Sequence, residues 1–201
     1  MTSEFFLKFD LHTDWHIGDG KNAGAYADAL TLKDAKGLPY LPGKSVKGLL
    51  REAFTLASEN NWLNPNTVEL LFGCEGDSGI AQQGLIEVTS AELHPSEYAF
   101  ITQHPHAKSK LYRTIASTSI DHTTGVAKDG SLRSTEVTVP MSLYSKVTFR
   151  DCSSTDAREA IEKLGALIGD VCTLIFGIGA KRHRGFGNVT VSLCSDSEVA
   201  A

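Results

Sequence analysis

With 201 residues, 41% hydrophobic and 21% charged, the chain can enclose one sizeable core, and with no apolar run near the ~20 residues that span a bilayer and no leader-like N-terminus, a soluble cytoplasmic domain is expected. The cysteines Cys74, Cys152, Cys172 and Cys194 form no C-x-x-C pair, which points away from a zinc site or a disulfide framework. A net charge of −5 argues at first against a nucleic-acid partner, yet no Lys or Arg occurs from Glu52 to Ala107, so the cations are segregated and one face can be basic.

Glu4 to His12 alternates, with Phe5, Leu7, Phe9 and Leu11 on one side, and predicts a first strand whose odd-numbered face is core. Trp15 to Gly24 is a glycine-punctuated loop holding His16 and Asp19, and Tyr26 to Lys33 is a second strand or extended segment with Asp28 at its junction. Asp34 to Gly37 is a turn, after which two prolines keep Leu38 and Leu41 extended. A helix follows, with Ser45 as its cap and Val46, Leu49, Leu50, Ala53, Phe54 and Ala57 at helical spacing. Lys44, Lys47 and Arg51 lie at its start or flank, so the helix N-terminus is a candidate phosphate contact. Lysines in such a place are more commonly a solvated face.

Val68 to Phe72 reads as a short helix ending at Gly73, Asp77-Ser-Gly as a turn, and Leu85 to Val88 as a strand. Residues 94–118 show no clear period. His104 and His106 stand two apart without a partnering cysteine or carboxylate pattern, so loop histidines are expected there rather than metal ligands. Ser119 to Glu136 is long, polar and glycine-marked, an extended hairpin or loop rather than core. Glu136 to Pro140 and Leu143 to Phe149 alternate as strands, and Asp156 to Asp170 places Ala160, Ile161, Leu164, Leu167 and Ile168 on one helical face. Ser195 to Ala201 reads as a frayed tail.

Between that helix and a last strand through Val189, Val191 and Leu193 lies the stretch richest in chemistry, with Gly177, Gly179, Gly185 and Gly187 around Lys181, Arg182, His183 and Arg184. Glycines let backbone N–H groups face an anion closely, and the cations add charge-assisted donors, so the stretch reads as a phosphate-binding loop. Neither the G-x-G-x-x-G nor the G-x-x-x-x-G-K-[ST] spacing is present. The plain alternative is a glycine-rich hairpin with solvated charges. The element order is compatible with an α+β fold of βαββαβ type, an antiparallel sheet against helices, in one domain over residues 1–201 with insertions at about 94–135.

Three separated motifs, Leu38-Pro-Tyr-Leu-Pro-Gly-Lys-Ser-Val-Lys-Gly-Leu-Leu-Arg51, Ser119 to Glu136, and Phe176-Gly-Ile-Gly-Ala-Lys-Arg-His-Arg-Gly-Phe-Gly-Asn-Val189, together resemble the RAMP superfamily of CRISPR-associated proteins. The likeness is strongest to the backbone, Csm/Cmr-type subunit of type III effector complexes. It implies a modified ferredoxin-like, RNA-recognition-motif fold in which the glycine-rich loop and first helix hold guide RNA and the Ile120 hairpin is a thumb-like insertion. By position it implies RNA contacts at Lys44, Ser45, Lys47, Arg51, Gly179, Lys181, Arg182, Arg184 and Gly185. The partners it implies are guide RNA, complementary target RNA, paralogous subunits and further copies of the chain.

In catalytic members of the resembled family an aspartate before the Pro-Gly helix cleaves target RNA with a divalent metal. Asp28 occupies the similar position, so the resemblance implies it as both catalytic residue and ligand of Mg2+ or another divalent cation, although Asp28-Ala-Leu stands where members often carry Asp-Asn-Pro. Two alternatives stay open within the superfamily. One is a non-catalytic RNA-binding scaffold, and the other a guide-processing endoribonuclease with His16 or His12 as general base, against which the absence of two tandem halves counts. Outside the superfamily stands a ferredoxin-like metabolite-binding domain.

Overall fold

The computed structural model describes residues 4–20, 27–74, 82–150 and 154–200. Tyr26, residues 21–24 of the loop after Trp15, the expected turn at Asp77 and Cys152 lie outside the described residues. In chain order the elements are β1 (Phe5–Leu11), α1 (Gly43–Glu59), α2 (Pro65–Phe72), β2 (Gly73–Cys74), β3 (Gln82–Gln83), β4 (Ile86–Val88), α3 (Pro95–Gln103), α4 (Pro105–Ser109), β5 (Tyr112–Ser117), β6 (Arg133–Thr138), β7 (Ser142–Phe149), α5 (Thr155–Cys172), β8 (Val189–Cys194) and α6 (Asp196–Ala200).

The main sheet has the order β4-β7-β1-β8, with every neighbouring pair antiparallel. Alternation along β1 turns Leu7, Phe9 and Leu11 into the core, and the register sets Phe9 between Leu143 and Val191. Helices α1, α2 and α5 cover that face with Val46, Leu50, Phe54, Leu71, Leu164 and Ile168, all buried, as the helical spacing predicts. Leu193 breaks the β8 alternation and is exposed, because β8 is the edge strand of the sheet. Cys172 lies in the core, and burial pushes its thiol up to about 12.

Several expected boundaries are corrected. Ser45 does not cap α1. The helix begins at Gly43 behind Pro42, has no cap from its neighbouring side chains, and instead receives a hydroxyl from across the fold, the Gly43 N–H donating to Ser90 Oγ at 3.2 Å. The period-free stretch after His94 is not loop but α3 and α4, each opening on a proline at its first turn, where the missing N–H costs nothing. Neither helix has a buried residue, so no apolar stripe announces them. Residues 27–33 make isolated bridges, Ala29 to Thr135, Thr31 to Gly18 and Lys33 to Pro39, rather than a strand, because they pair with three different partners in turn. The C-terminal stretch winds into α6, with the Glu198 carboxylate accepting from the Ser195 N–H at 2.7 Å.

The polar insertion is the hairpin β5–β6, joined by residues 118–132. Its root is not the solvated loop that its composition suggests. Thr135, Glu136, Val137 and Thr138 are all buried, because β6 bonds on its second edge to Trp15 and to residues 28 and 29.

Candidate nucleic-acid interface

The glycine-rich loop is fastened to the segment after β1. The Ala180 N–H donates to the His16 carbonyl at 2.8 Å, the Gly187 N–H to the Asp14 carbonyl at 2.7 Å, and the Asn188 N–H to Thr13 Oγ1 at 3.0 Å. Gly179, at φ 73°, lies so close that a Cβ would overlap the His16 carbonyl. These three N–H groups therefore hold the loop down rather than face an anion. Gly177 does not adopt the left-handed conformation, whereas Lys181 does, at φ 61°. What the loop offers outward is the guanidinium groups of Arg182 and Arg184, with the His183 imidazole between them, on a single 3-10 turn.

Lys181 points the other way, to the hairpin root, where its Nζ donates to Thr135 Oγ1 at 3.0 Å. One residue earlier, the Ser134 N–H donates to Asp28 Oδ2 at 2.6 Å while the Asp28 N–H donates to the Ser134 carbonyl at 2.9 Å. Asp28 and Lys181, distant in sequence, are thus held by consecutive residues of β6.

Beneath them Glu136, only 3% exposed, accepts from Lys33 Nζ at 2.9 Å and from the Thr31 N–H at 3.2 Å. Lys33 also sits 4.0 Å above the Tyr112 ring, whose hydroxyl is held well above its ordinary pKa, by burial first and then by the carboxylates of Glu136 and Asp34. His16 is buried and its Nδ1 donates to the Glu136 carbonyl at 2.7 Å, so that nitrogen carries the proton and serves the fold. His12 bonds Thr190 Oγ1 at 2.7 Å, on the main sheet. Neither histidine stands beside Asp28 through any of these bonds.

The cations of α1 form a separate group. Lys47 turns inward and donates to the Ile86 carbonyl at 3.0 Å, and burial, then Arg150 and Arg51, hold its pKa below the ordinary lysine value. Lys44 and Arg51 are exposed and Ser45 is half-buried. Three of the first four N–H groups of the helix, those of Gly43, Ser45 and Val46, are already bonded, so its N-terminus has little to offer a phosphate. A cleft of about 520 Å³, lined by Leu49, Leu56, Phe176 and Phe186 among others, separates α1 from the loop, and Arg182 reaches across it to Glu52 at 3.8 Å.

Sequence reasoning missed Glu136, Lys33, Asp14 and Arg113. Glu136 carried a signal, being a carboxylate within an alternating run that continues into Val137 and Thr138. The Asp14–Arg113 ion pair carried none, since its members lie 99 residues apart. Among the described residues no group of three or more His, Cys, Asp or Glu side chains gathers as a metal cage, and no helix is long and apolar enough to cross a membrane.

The sequence matches the RAMP superfamily over residues 8–190. The chain belongs to the RAMP superfamily. Its fold is that of chains in two cryo-EM structures. A chain of Type III-B Cmr-beta in the apo state superposes with a TM-score of 0.71 at 12% identity, over 96% of this chain and 98% of that one. A chain of Type III-B Cmr-beta bound to cognate target RNA gives 0.68 at 11% identity, over 95% and 97%. No curated protein matches. In this RAMP chain the α+β architecture expected from the motifs is present, and the glycine-rich loop and the inserted hairpin meet at one place.

Proposed function

We propose that this chain is a guide-RNA-binding backbone subunit of a type III CRISPR effector complex. The observation that carries this reading is membership of the RAMP superfamily over residues 8–190 together with near end-to-end likeness to chains of Type III-B Cmr-beta, one of them solved with target RNA. In this reading exposed Lys44, Arg51, Arg182 and Arg184, with Lys181 held on Thr135, take guide phosphates. Target RNA pairs with that guide, and paralogous subunits and further copies of the chain pack along it. Contacts of this kind tolerate any sequence and weaken steeply with salt.

Target cleavage is assigned within the same reading to Asp28. Its single carboxylate, oriented by the Ser134 N–H at 2.6 Å, fits a divalent cation such as Mg2+ that draws its other ligands from RNA phosphates rather than from a protein cage. Such a cation, when bound, stabilises the charge that develops on the phosphoryl oxygens. Asp28 contributes a fixed position at the hairpin root, because two hydrogen bonds to Ser134 tie it to β6. The same two bonds favour a second reading, in which Asp28 only latches residues 27–33 to β6 and the chain is a scaffold.

The test is to purify the chain with co-expressed neighbours and a CRISPR array, sequence the protected RNA, and assay cutting of complementary RNA with wild type and Asp28→Ala. A repeat-derived guide with metal-dependent, evenly spaced cuts that disappear in the variant supports the catalytic reading. Cutting at the wild-type rate by Asp28→Ala leaves the scaffold, and no protected RNA even at low salt removes both.

A further inference from the structure

We propose that one face of the β5–β6 hairpin is a phosphate track, formed by Arg113, Lys181 and Arg133, along which an RNA strand lies outward from the glycine-rich loop. The inference rests on the RNA-binding reading above and adds Arg113 and Arg133 to it.

The register supplies the first argument. Arg113 pairs with Val137, Ile115 with Thr135, and Ser117 with Arg133, and cross-strand partners in an antiparallel pair project to the same side. Arg113 and Arg133 therefore share a face, and Lys181, bonded to Thr135, joins them on the rung between. Same-face rungs follow every two residues, about 7 Å apart at ~3.4 Å per residue. That step is comparable with the spacing of successive phosphates in an extended strand.

Alternation also sorts the charges. Glu136 pairs with Thr114 and so belongs to the opposite face, where Lys33 neutralises it. Two further carboxylates lie near the track: Asp28, bonded to the Ser134 N–H at the outer edge of β6, and Asp14, which sits below the track rather than on it. Its side chain is 9% exposed while that of Arg113 is 61% exposed. Arg113 Nε and Nη2 both donate to Asp14 Oδ2, and Oδ1 has no hydrogen-bond partner among the described residues. A buried acid thus aims an exposed guanidinium, taking two of its five N–H donors and leaving three for a ligand. Lys181 is aimed in the same manner by Thr135. Arg133 is exposed and makes no ion pair among the described residues, which leaves its guanidinium open to a ligand.

The ligand that suits two aimed cations and a third, exposed one in a row is the sugar–phosphate backbone of a single strand, bound without regard to base. The experiment measures affinity of the full chain for a labelled single-stranded oligouridylate between about 50 and 200 mM salt. Wild type is compared with Arg133→Gln, Arg113→Gln/Arg133→Gln and, as a control on the exposed side of α5, Lys163→Gln. Each phosphate contact removed is expected to reduce the slope of log K against log salt by about 0.7, so by about 1.4 in the double variant, with Lys163→Gln unchanged. Arg113 has a structural partner and its variant can disturb the fold, so Arg133→Gln decides. A wild-type slope in Arg133→Gln overturns the track while leaving RNA binding standing. Failure of wild type itself to bind removes the RNA-binding reading and the track with it.

Discussion

Replacing Gly179 by alanine tests how the glycine-rich loop is seated. Gly179 stands at φ 73°, where an L side chain costs about 1–2 kcal/mol. Its Cβ would also overlap the His16 carbonyl, the acceptor of the Ala180 N–H at 2.8 Å. Relief requires the loop to lift, which forfeits about 1 kcal/mol of hydrogen bonding and adds about 1–2 kcal/mol of packing strain. The expected loss is about 3–5 kcal/mol. Gly185 provides the internal comparison, because it has a similar φ of 82° but nothing within 4 Å of the place an alanine methyl would take, so Gly185→Ala carries only the backbone cost of about 1–2 kcal/mol. For a chain of 201 residues, at about 3 °C per kcal/mol, thermal unfolding followed by circular dichroism should show losses of about 9–15 °C and about 3–6 °C respectively. Equal melting of the two variants would refute the seating of the loop on His16.

Two further outcomes follow from the hairpin. Lys33→Met strands the buried Glu136 carboxylate and should cost about 3 kcal/mol in urea unfolding, somewhat less for the partial exposure of Lys33, whereas Lys33→Met/Glu136→Leu should recover much of it; a double variant no more stable than the single would sink the idea. At the tip, the N–H groups of Thr123 and Thr124 donate to Asp121 Oδ1 at 2.8 and 3.2 Å and hold its carboxyl below the usual carboxylate range. The sign is that of a depressed acid, so the contribution to tip stability is complete above the unfolded value of about 3.9 and is lost as pH falls through the lower native value. Amide resonances of Thr123 and Thr124 should therefore keep their native shifts at about pH 5 and move only under more acid conditions, and titration of Asp121 at or above about 3.9 would contradict the bonding seen here.

What the chain determines locally was legible in its sequence. The alternation of Leu7, Phe9 and Leu11 and the helical recurrence of Val46, Leu50, Ala53 and Phe54 identify core faces because each pattern depends only on the geometry of its own element. The three motifs likewise carried the superfamily, and the glycine-rich loop before a last strand and the inserted hairpin were legible with them. Hidden from the sequence was everything decided by which distant segments meet. The start of α1 depends on Ser90, 47 residues away, and α3 and α4 bury no stripe that a period could reveal. The division of the cations was equally invisible: Lys47 turns to β4, Lys181 to the hairpin, Arg182 to the cleft, and Arg113 is aimed by Asp14. Periodicity and turn chemistry act over a few residues, whereas the direction of a long charged side chain is settled by the partner that chain closure brings within reach, and that is a property of the folded molecule alone.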